Sequence, residues 1–174
     1  MILELLQALS GRRSVRHFTA EAISDEQLDA LVEAAGSAPS GGNTQPWALA
    51  VVREPGNVKR MRAAAPGISG IPTAFIVICL ARVQSYQEQG RGYETALLSL
   101  GAAMQNLLLS AHEQGLGACA IGSFHVPSVR SILLLPEHLQ PKLLVALGYP
   151  ARQPESPGRR SLREIRFFEQ VGTK

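Results

Sequence analysis

Three arginines and a serine lie within five residues near the start of the chain: Arg12, Arg13, Ser14 and Arg16. A guanidinium group presents a planar fork of N–H donors that matches phosphate oxygens in pairs, and a serine hydroxyl adds a short neutral donor. Together these side chains could hold a phosphomonoester from several sides. A solvated basic loop would carry the same charge, and this stretch alone does not separate the two interpretations.

A second stretch that could contact a ligand is the loop over residues 38–47, which ends on the chain's only tryptophan, Trp47. Two adjacent glycines in this loop allow the backbone to approach a ligand closely. Asn43 and Gln45 can each donate and accept hydrogen bonds. A plain helix-to-strand connection needs turn formers but not this combination of amides and an indole, so we predict a loop that faces a ligand.

The usual catalytic constellations are not found in the sequence. There is no Ser/His/Asp arrangement, no pair of carboxylates and no group of residues with metal-ligand spacing. Cys79 and Cys119 each stand alone in an apolar run, which predicts reduced core residues. His125 could face a substrate, but an ordinary surface histidine is the stronger interpretation. The basic cluster therefore has no protein acid, base or nucleophile to accompany it.

The composition is typical of one globular domain, which we place over residues 1–174. Hydrophobic residues make up 45% of the chain and charged residues 18%, so a core can form without disulfides or metal. A net charge of +3 and an aromatic content of 5% do not indicate nucleic-acid binding. The first residues lack the regions of a signal peptide, and no apolar run reaches the ~20 residues of a membrane span. We expect a soluble, cytoplasmic protein.

Helical spacing of apolar residues predicts five helices, over residues 2–9, 24–36, 55–65, 93–114 and 127–133. The best-marked start is Ser24, because Gln27 supplies the second half of a capping box. The longest helix is apolar on so many sides that we expect it to be buried on most of them. A second subunit could cover one face, or the helix could be buried within its own subunit.

Short apolar runs rich in β-branched residues predict strands over residues 48–52, 74–80, 118–121 and 142–147. Residues 135–141 are predicted as a turn, and residues 83–92 as a loop or ragged helix over a site. The tail after residue 151 is too polar and proline-rich to form a core of its own. It nevertheless carries four large apolar side chains that must dock somewhere: Leu162, Ile165, Phe167 and Phe168.

Five motifs occur in a fixed order along nearly the whole chain. They are Arg-Arg-Ser-x-Arg at 12–16, Pro-Ser-Gly-x-Asn-x-Gln-Pro-Trp at 39–47, Gly-Leu-Gly leading into Ile-Gly-Ser-Phe at 115–124, Leu-Gly-Tyr-Pro at 147–150 and Arg-Arg-x-Leu-x-x-Ile at 159–165. In this order and spacing the chain resembles the nitroreductase family of FMN-dependent oxidoreductases. An ordered set of this kind is far more specific than any single motif.

The resemblance implies an α+β, nitroreductase-like fold, in which a mixed or antiparallel central sheet is flanked by helices. It also implies a homodimer with the long helix at the interface, two FMN sites between the subunits, and a tail over residues 151–174 that reaches across to the partner. FMN would be bound tightly but without a covalent bond, and NADH or NADPH would be the electron donor. Neither nucleic acid nor a membrane is an expected partner.

The same resemblance gives roles to the arginine cluster. Arg12 and Ser14 would bind the FMN phosphate, joined by either Arg159 or Arg160 from the tail. Two further arginines would lie along the ribityl chain and the N1/O2 edge of the ring, where positive charge stabilises the anionic reduced flavin: Arg13 and Arg16.

Two other segments would contact the isoalloxazine ring. Four residues of the 38–47 loop would come from the partner subunit and pack against the ring: Pro39, Ser40, Gly41 and Asn43. The segment from Ile121 through Gly122 to Ser123 would also border the cofactor. A backbone N–H of Gly122 or Ser123 would point at flavin N5, the atom that accepts and passes on hydride.

The implied reaction is hydride transfer from NAD(P)H to FMN, followed in ping-pong fashion by reduction of a nitroaromatic, a quinone or a similar acceptor. The lid of longer family members is shortened here to about residues 81–92, so the substrate range and the choice of NADH or NADPH stay open. A specialised relative that oxidises azolines or breaks down flavin is an alternative. Others are a non-catalytic flavin-binding protein and, if the resemblance misleads, a small anion-binding domain.

Overall fold

The computed structural model describes residues 5–81, 90–169 and 171. The helices within these residues are α1 (Leu5–Gly11), α2 (Asp25–Gly36), α3 (Pro55–Ala64), α4 (Arg91–Glu113), α5 (Val126–Leu133) and α6 (Leu162–Ile165). The strands are β1 (Trp47–Val52), β2 (Ala74–Ala81), β3 (Gly117–Ile121) and β4 (Leu139–Gly148), and a 3-10 turn covers Gly41–Asn43.

The four strands form one antiparallel sheet in the order β1-β2-β4-β3. Alternate residues of β2 point to opposite faces: Ile76 and Ile78 pack in the core on the side of α2 and α4, whereas Phe75 and Val77 pack on the side of α3 and α5. Because helices cover both faces, the inner strand β2 is a continuous apolar run rather than an alternating one. The predicted buried central strand is confirmed.

The capping box predicted at Ser24 is present at the start of α2. The Ser24 hydroxyl accepts a hydrogen bond from the Gln27 backbone N–H at 3.2 Å, and the Gln27 side chain accepts one from the Ser24 N–H at 3.2 Å. The Asn106 amide donates to the Ala34 carbonyl at 3.1 Å, which joins α4 to α2. This pair of helices covers one face of the sheet.

The turn predicted over residues 135–141 is wrong at its C-terminal end, because β4 already begins at Leu139. Arg130 explains the early start: its guanidinium donates to the carbonyls of Leu135, at 3.1 Å, and Leu139, at 2.5 Å. These bonds complete the reversal of the chain before residue 139. Most of the loop predicted over residues 83–92 lies outside the described residues, and α4 begins at Arg91.

Most of α4 is buried or half-buried, as predicted, but the single chain leaves part of it uncovered. One side of α4 is fully buried, at Leu100, Ala103 and Leu107, but Leu98 is 75% exposed. Helix α1, which packs against α4, carries three further exposed leucines. We call the surface the α1–α4 apolar face and define it by five exposed leucines: Leu5, Leu6, Leu9, Leu97 and Leu98.

Residues 12–18, which contain the arginine cluster, run along the β3 and β4 side of the sheet. The Val15 N–H donates to the Ala118 carbonyl at 3.0 Å, and Ser14 forms a parallel bridge with Ala118. Val15 is buried directly over Gly117, where an added Cβ would lie 2.6 Å from Val15 Cγ1. The segment is therefore held in place by contacts that need glycine at position 117.

The cysteines are buried, in line with their prediction as core residues. Burial raises the pKa of Cys79 to about 11 and also raises the pKa of Cys119, which disfavours the reactive thiolate. Among the described residues, no helix combines the length and the apolar character needed to cross a membrane.

We predict that Gly117→Ala destabilises the protein by about 1–3 kcal/mol, because the added methyl group overpacks the contact with Val15. Gly36→Ala is the matched control, since a Cβ there has no atom within 4 Å. The control should change the free energy of unfolding by less than about 0.5 kcal/mol. Urea unfolding followed by circular dichroism measures both, and equal stability of the two variants would show that the contact at Gly117 is not constraining.

Candidate functional site

A cavity of about 350 Å³ brings the arginine cluster and the C-terminal tail together. Its lining residues are Arg12, Arg13, Ser14 and Arg16 on one side, and Pro154, Glu155, Pro157 and Arg159 on the other. A neighbouring cavity of about 460 Å³ shares Ser14 and Arg16 and continues past His17 to Arg152. The fold thus groups Arg12, Ser14 and Arg159 around one space, although their ligand stays a prediction.

Arg12, which lines this cavity, also has an unsatisfied donor. Its Nε atom is buried and has no hydrogen-bond partner among the described residues. A buried N–H on a charged group is costly unless an acceptor meets it. The cavity itself is lined by four arginines, which fits the anion-binding interpretation of the cluster better than a solvated basic loop.

The other two arginines of the cluster are oriented by nearby backbone carbonyls. Arg13 donates to the carbonyls of Ser10 at 2.6 Å and Arg12 at 3.1 Å, and Arg16 donates to that of Ser14 at 3.5 Å. The loop before β2 packs closely against the backbone of the cluster. A Cβ added at Gly70 would lie 2.2 Å from the Arg16 carbonyl oxygen. Only glycine allows so close an approach of the two backbones.

His112, in the last turn of α4, lies beside Gly11, the residue that precedes the arginine cluster. Its Nε2 atom is 3.1 Å from the position that a Cβ on Gly11 would occupy. Burial and then the positive charges of Arg12 and Arg13 lower the pKa of His112 below its ordinary value. The ring is consequently neutral at pH 7, and the positive charge at the cavity comes from the arginines. This contact could not be predicted from the sequence, because His112 is distant from the cluster along the chain.

The segment predicted to face flavin N5 follows β3 directly. Ile121 is buried, whereas Gly122 and Ser123 are exposed. A Cβ added at Gly122 would have no atom within 4 Å, so the space above this backbone is open. Because Ser14 bridges to Ala118 in the same strand, β3 connects the arginine cluster to the exposed end at Gly122.

The loop over residues 39–43 is not brought to the arginine cluster within one chain. Gly42 and Asn43 have positive φ angles of 58° and 54°, and the Ser40 hydroxyl accepts from the Gln45 N–H at 3.0 Å, so the loop is tightly turned. Gly41 packs against Thr95 in α4, where an added Cβ would lie 2.4 Å from Thr95 Cγ2. The predicted contact of Pro39, Ser40, Gly41 and Asn43 with a second subunit's flavin stays a prediction.

The structure distinguishes the two tail arginines that the sequence left as alternatives. Arg159 lines the cavity with Arg12 and Ser14. Arg160 instead donates to the Glu164 carbonyl at 2.6 Å and so supports the short helix α6. Of the two, Arg159 is the one that lines the cavity, and its role as a phosphate ligand stays a prediction.

Some residues near the site were missed by sequence reasoning. Pro154, Glu155 and Pro157 form the tail's wall of the cavity, although their composition predicts only an irregular segment. Lys142 donates to the Tyr93 hydroxyl at 2.9 Å, which joins β4 to the start of α4. Contacts of this kind depend on the tertiary structure and leave no local pattern.

Comparisons with known proteins agree with this fold. A model of the nitroreductase family matches residues 9–68 and 58–149. A protein of Methanothermobacter thermautotrophicus, provisionally named NADH dehydrogenase/NAD(P)H nitroreductase, is 33% identical over 167 residues, which are 92% of this chain and 83% of the relative. The FMN reductase (NADPH) of Bacillus subtilis is 26% identical over 163 residues, which are 84% of this chain and 66% of the relative.

Comparison with a solved structure supports the same family and fold. The crystal structure of a nitroreductase family protein from Clostridium difficile 630 superposes with a TM-score of 0.85, covers 97% of this chain and 100% of its own, and is 25% identical. The chain belongs to the nitroreductase family. The predicted α+β fold, a central antiparallel sheet flanked by helices, is confirmed.

We predict that Arg159→Ala weakens FMN binding by about tenfold or more, because one charged hydrogen bond contributes roughly 1.5–3 kcal/mol. Arg12→Ala should have an effect of at least this size, since it also removes the unsatisfied buried donor. Arg160→Ala should change the dissociation constant by less than about threefold. Quenching of FMN fluorescence on titration with flavin-free protein measures all three.

The matched control is Arg163→Ala, which removes the same charge from an exposed position of the same tail. Unchanged affinity in both Arg12→Ala and Arg159→Ala would mean that the phosphate binds elsewhere. A larger effect from Arg160→Ala than from Arg159→Ala would reverse the assignment of the tail ligand.

Proposed function

We propose that this chain takes hydride from NADH or NADPH through bound FMN and passes the electrons to a nitroaromatic, a quinone or a similar acceptor. Membership of the nitroreductase family, with relatives named NAD(P)H nitroreductase and FMN reductase, supports an NAD(P)H-dependent flavin oxidoreductase. The observation that carries the proposal is the cavity that Arg12, Ser14 and Arg159 line together.

The residues present fit FMN. Arg12, Ser14 and Arg159 would hold its phosphate, and Arg13 and Arg16 would lie along the ribityl chain and the N1/O2 edge of the ring. When bound, FMN supplies a carrier that accepts hydride at N5 and passes two electrons on. The arginines would place positive charge where the reduced ring is anionic, which favours reduction.

The open space above Gly122 supports the ping-pong order. A donor and an acceptor must each reach N5, and both would approach it from the side that Gly122 and Ser123 leave exposed. A backbone N–H from this segment would donate to N5 and fix the height and tilt of the ring. No side-chain acid is required at this position, because the protein's part is to bind, orient and exclude water.

We further propose a homodimer formed through the α1–α4 apolar face. Leu5, Leu6 and Leu98 are 68%, 78% and 75% exposed, and burial of such apolar surface stabilises association by about 25 cal/mol per Å². The four large apolar side chains of the tail are also exposed in the single chain, which suits a segment that covers a second copy. A cytoplasmic location stays a prediction.

The dimer would complete the flavin site. The loop at Gly41 packs against Thr95, near the start of α4, so it lies beside the apolar face rather than beside the chain's own arginines. An association through α4 would carry Pro39, Ser40, Gly41 and Asn43 toward the other subunit. The two halves of each flavin site would then come from different chains.

We predict that the purified protein shows flavin absorption bands and that these bands bleach when NADH or NADPH is added without oxygen. The absorption spectrum before and after each addition measures both steps and shows which donor is used. Flavin bands that persist with both donors would favour a specialised or non-catalytic flavoprotein. A colourless protein that fails to take up FMN would contradict the proposal.

We also predict that Gly122→Pro or Ser123→Pro slows flavin reduction by about tenfold or more, because proline removes the candidate donor to N5. Stopped-flow measurement of flavin reduction gives the rate, and the bound FMN content shows that the site is still formed. If both variants hold FMN and keep the wild-type rate, the N5 contact lies in another segment.

A further inference from the structure

A second basic cavity, of about 510 Å³, lies between α3 and α5 and is separate from the arginine cluster. Its polar lining consists of Arg60, His125, Ser128 and Ser131, and none of its lining residues is acidic. We infer that this cavity binds a phosphate group of the pyridine dinucleotide donor, an inference that rests on the function proposed above.

His125 lines the cavity, and its Nδ1 atom is held by two contacts with Ser128. The Ser128 backbone N–H, which can only donate, is 3.3 Å from His125 Nδ1, and the Ser128 hydroxyl is 2.8 Å from the same atom. Nδ1 is therefore the acceptor, and the ring carries its proton on Nε2. The imidazole thus caps α5 with one nitrogen and offers the other as a donor.

Arg60 supplies the positive charge of the cavity. Its guanidinium is oriented by a hydrogen bond of 2.5 Å to the Asn57 side chain, which uses one nitrogen of the fork. Glu54, whose pKa is lowered by the N–H groups of Gly56 and Asn57 and slightly by Arg60, is held at the start of α3 by those backbone groups. Arg60 forms no ion pair with it among the described residues.

The two walls of the cavity are bonded to each other, and His125 is close in the chain to the segment that is predicted to face flavin N5. The His125 N–H donates to the Ala64 carbonyl at 2.8 Å, which joins the start of α5 to the end of α3. Ser123 is two residues before His125, so their Cα atoms are at most about 7 Å apart. A dinucleotide with its nicotinamide at N5 would carry its phosphates outward past this position.

The chemistry of the lining matches phosphate. A guanidinium, an imidazole N–H and two hydroxyls are hydrogen-bond donors of the kinds that bind phosphate oxygens, and no lining residue carries a carboxylate. The ligand's phosphate could be the pyrophosphate, which NADH and NADPH share, or the 2′-phosphate, which only NADPH has. The two sources give different outcomes in one experiment.

The test compares Arg60→Ala with the wild type, both loaded with FMN, by anaerobic stopped-flow reduction of the flavin. The donors are NADH, NADPH and N-benzyl-1,4-dihydronicotinamide, which has no phosphate. The half-saturating concentration of NADPH should rise about tenfold, while the limiting rate and the reaction with the benzyl compound stay within about twofold. Ser131→Ala should give a smaller change in the same direction.

The matched control is Lys59→Ala, which removes a positive charge from the adjacent position of α3 but lines a different cavity. A parallel rise for NADH would assign the cavity to the pyrophosphate, and a rise for NADPH alone would assign it to the 2′-phosphate. Unchanged half-saturation for both dinucleotides would overturn the inference. An equal effect on the benzyl compound would also overturn it, because the variant would then act on the flavin.

Failure of the proposed function would look different, since the wild type itself would not be reduced by any donor. In that event, calorimetric titration of the FMN-loaded protein with NADP⁺ still decides the inference. Binding that weakens about tenfold in Arg60→Ala but not in Lys59→Ala would support the cavity as a dinucleotide phosphate site. Absence of binding to the wild type, or equal binding to all three proteins, would overturn it.

Discussion

The contact between Val15 and Gly117 is the constraint on which the candidate site depends. Val15 is buried against the start of β3, and its N–H is bonded to the Ala118 carbonyl at 3.0 Å. These contacts fix the backbone of residues 12–16 along the edge of the sheet. They therefore also fix the Cα positions from which the arginine side chains extend. Without them the basic residues would form a loop that samples many positions, and the cost of ordering that loop would reduce the affinity for any anion.

The buried Nε of Arg12 fits a residue that is placed for a ligand rather than for the stability of the chain. A guanidinium used only for folding would have its donors satisfied by carbonyls, as Arg130 does with Leu135 and Leu139. Arg12 instead keeps one buried donor without a protein acceptor among the described residues. The unpaired donor lowers the stability of the folded chain, and binding of the flavin phosphate would offset this cost in free energy.

The sequence predicts most of the fold because its local and global signals agree. The apolar run of β2 and the capping box at Ser24 depend on neighbouring residues, and both are observed. The start of β4 was missed because it depends on Arg130, which acts across a turn. The sequence left open whether one chain covers all of α4, and the exposure of Leu98 shows that it does not. In the site, the grouping of Arg12 with Arg159 could be predicted from the family resemblance alone, whereas the choice between Arg159 and Arg160 needed the packing of the tail.

Helix α1 connects the exposed leucines to the arginine cluster without an intervening linker. The Arg12 N–H donates to the Ala8 carbonyl at 3.0 Å, so the residue that directly follows the helix also begins the arginine cluster. In the proposed homodimer, an association that orders α1 would also order Arg12, and the two equilibria would be thermodynamically linked. Dilution that separates the subunits would then release the flavin, and an excess of flavin would hold the subunits together. The amount of cofactor would in this way set the concentration at which the protein assembles.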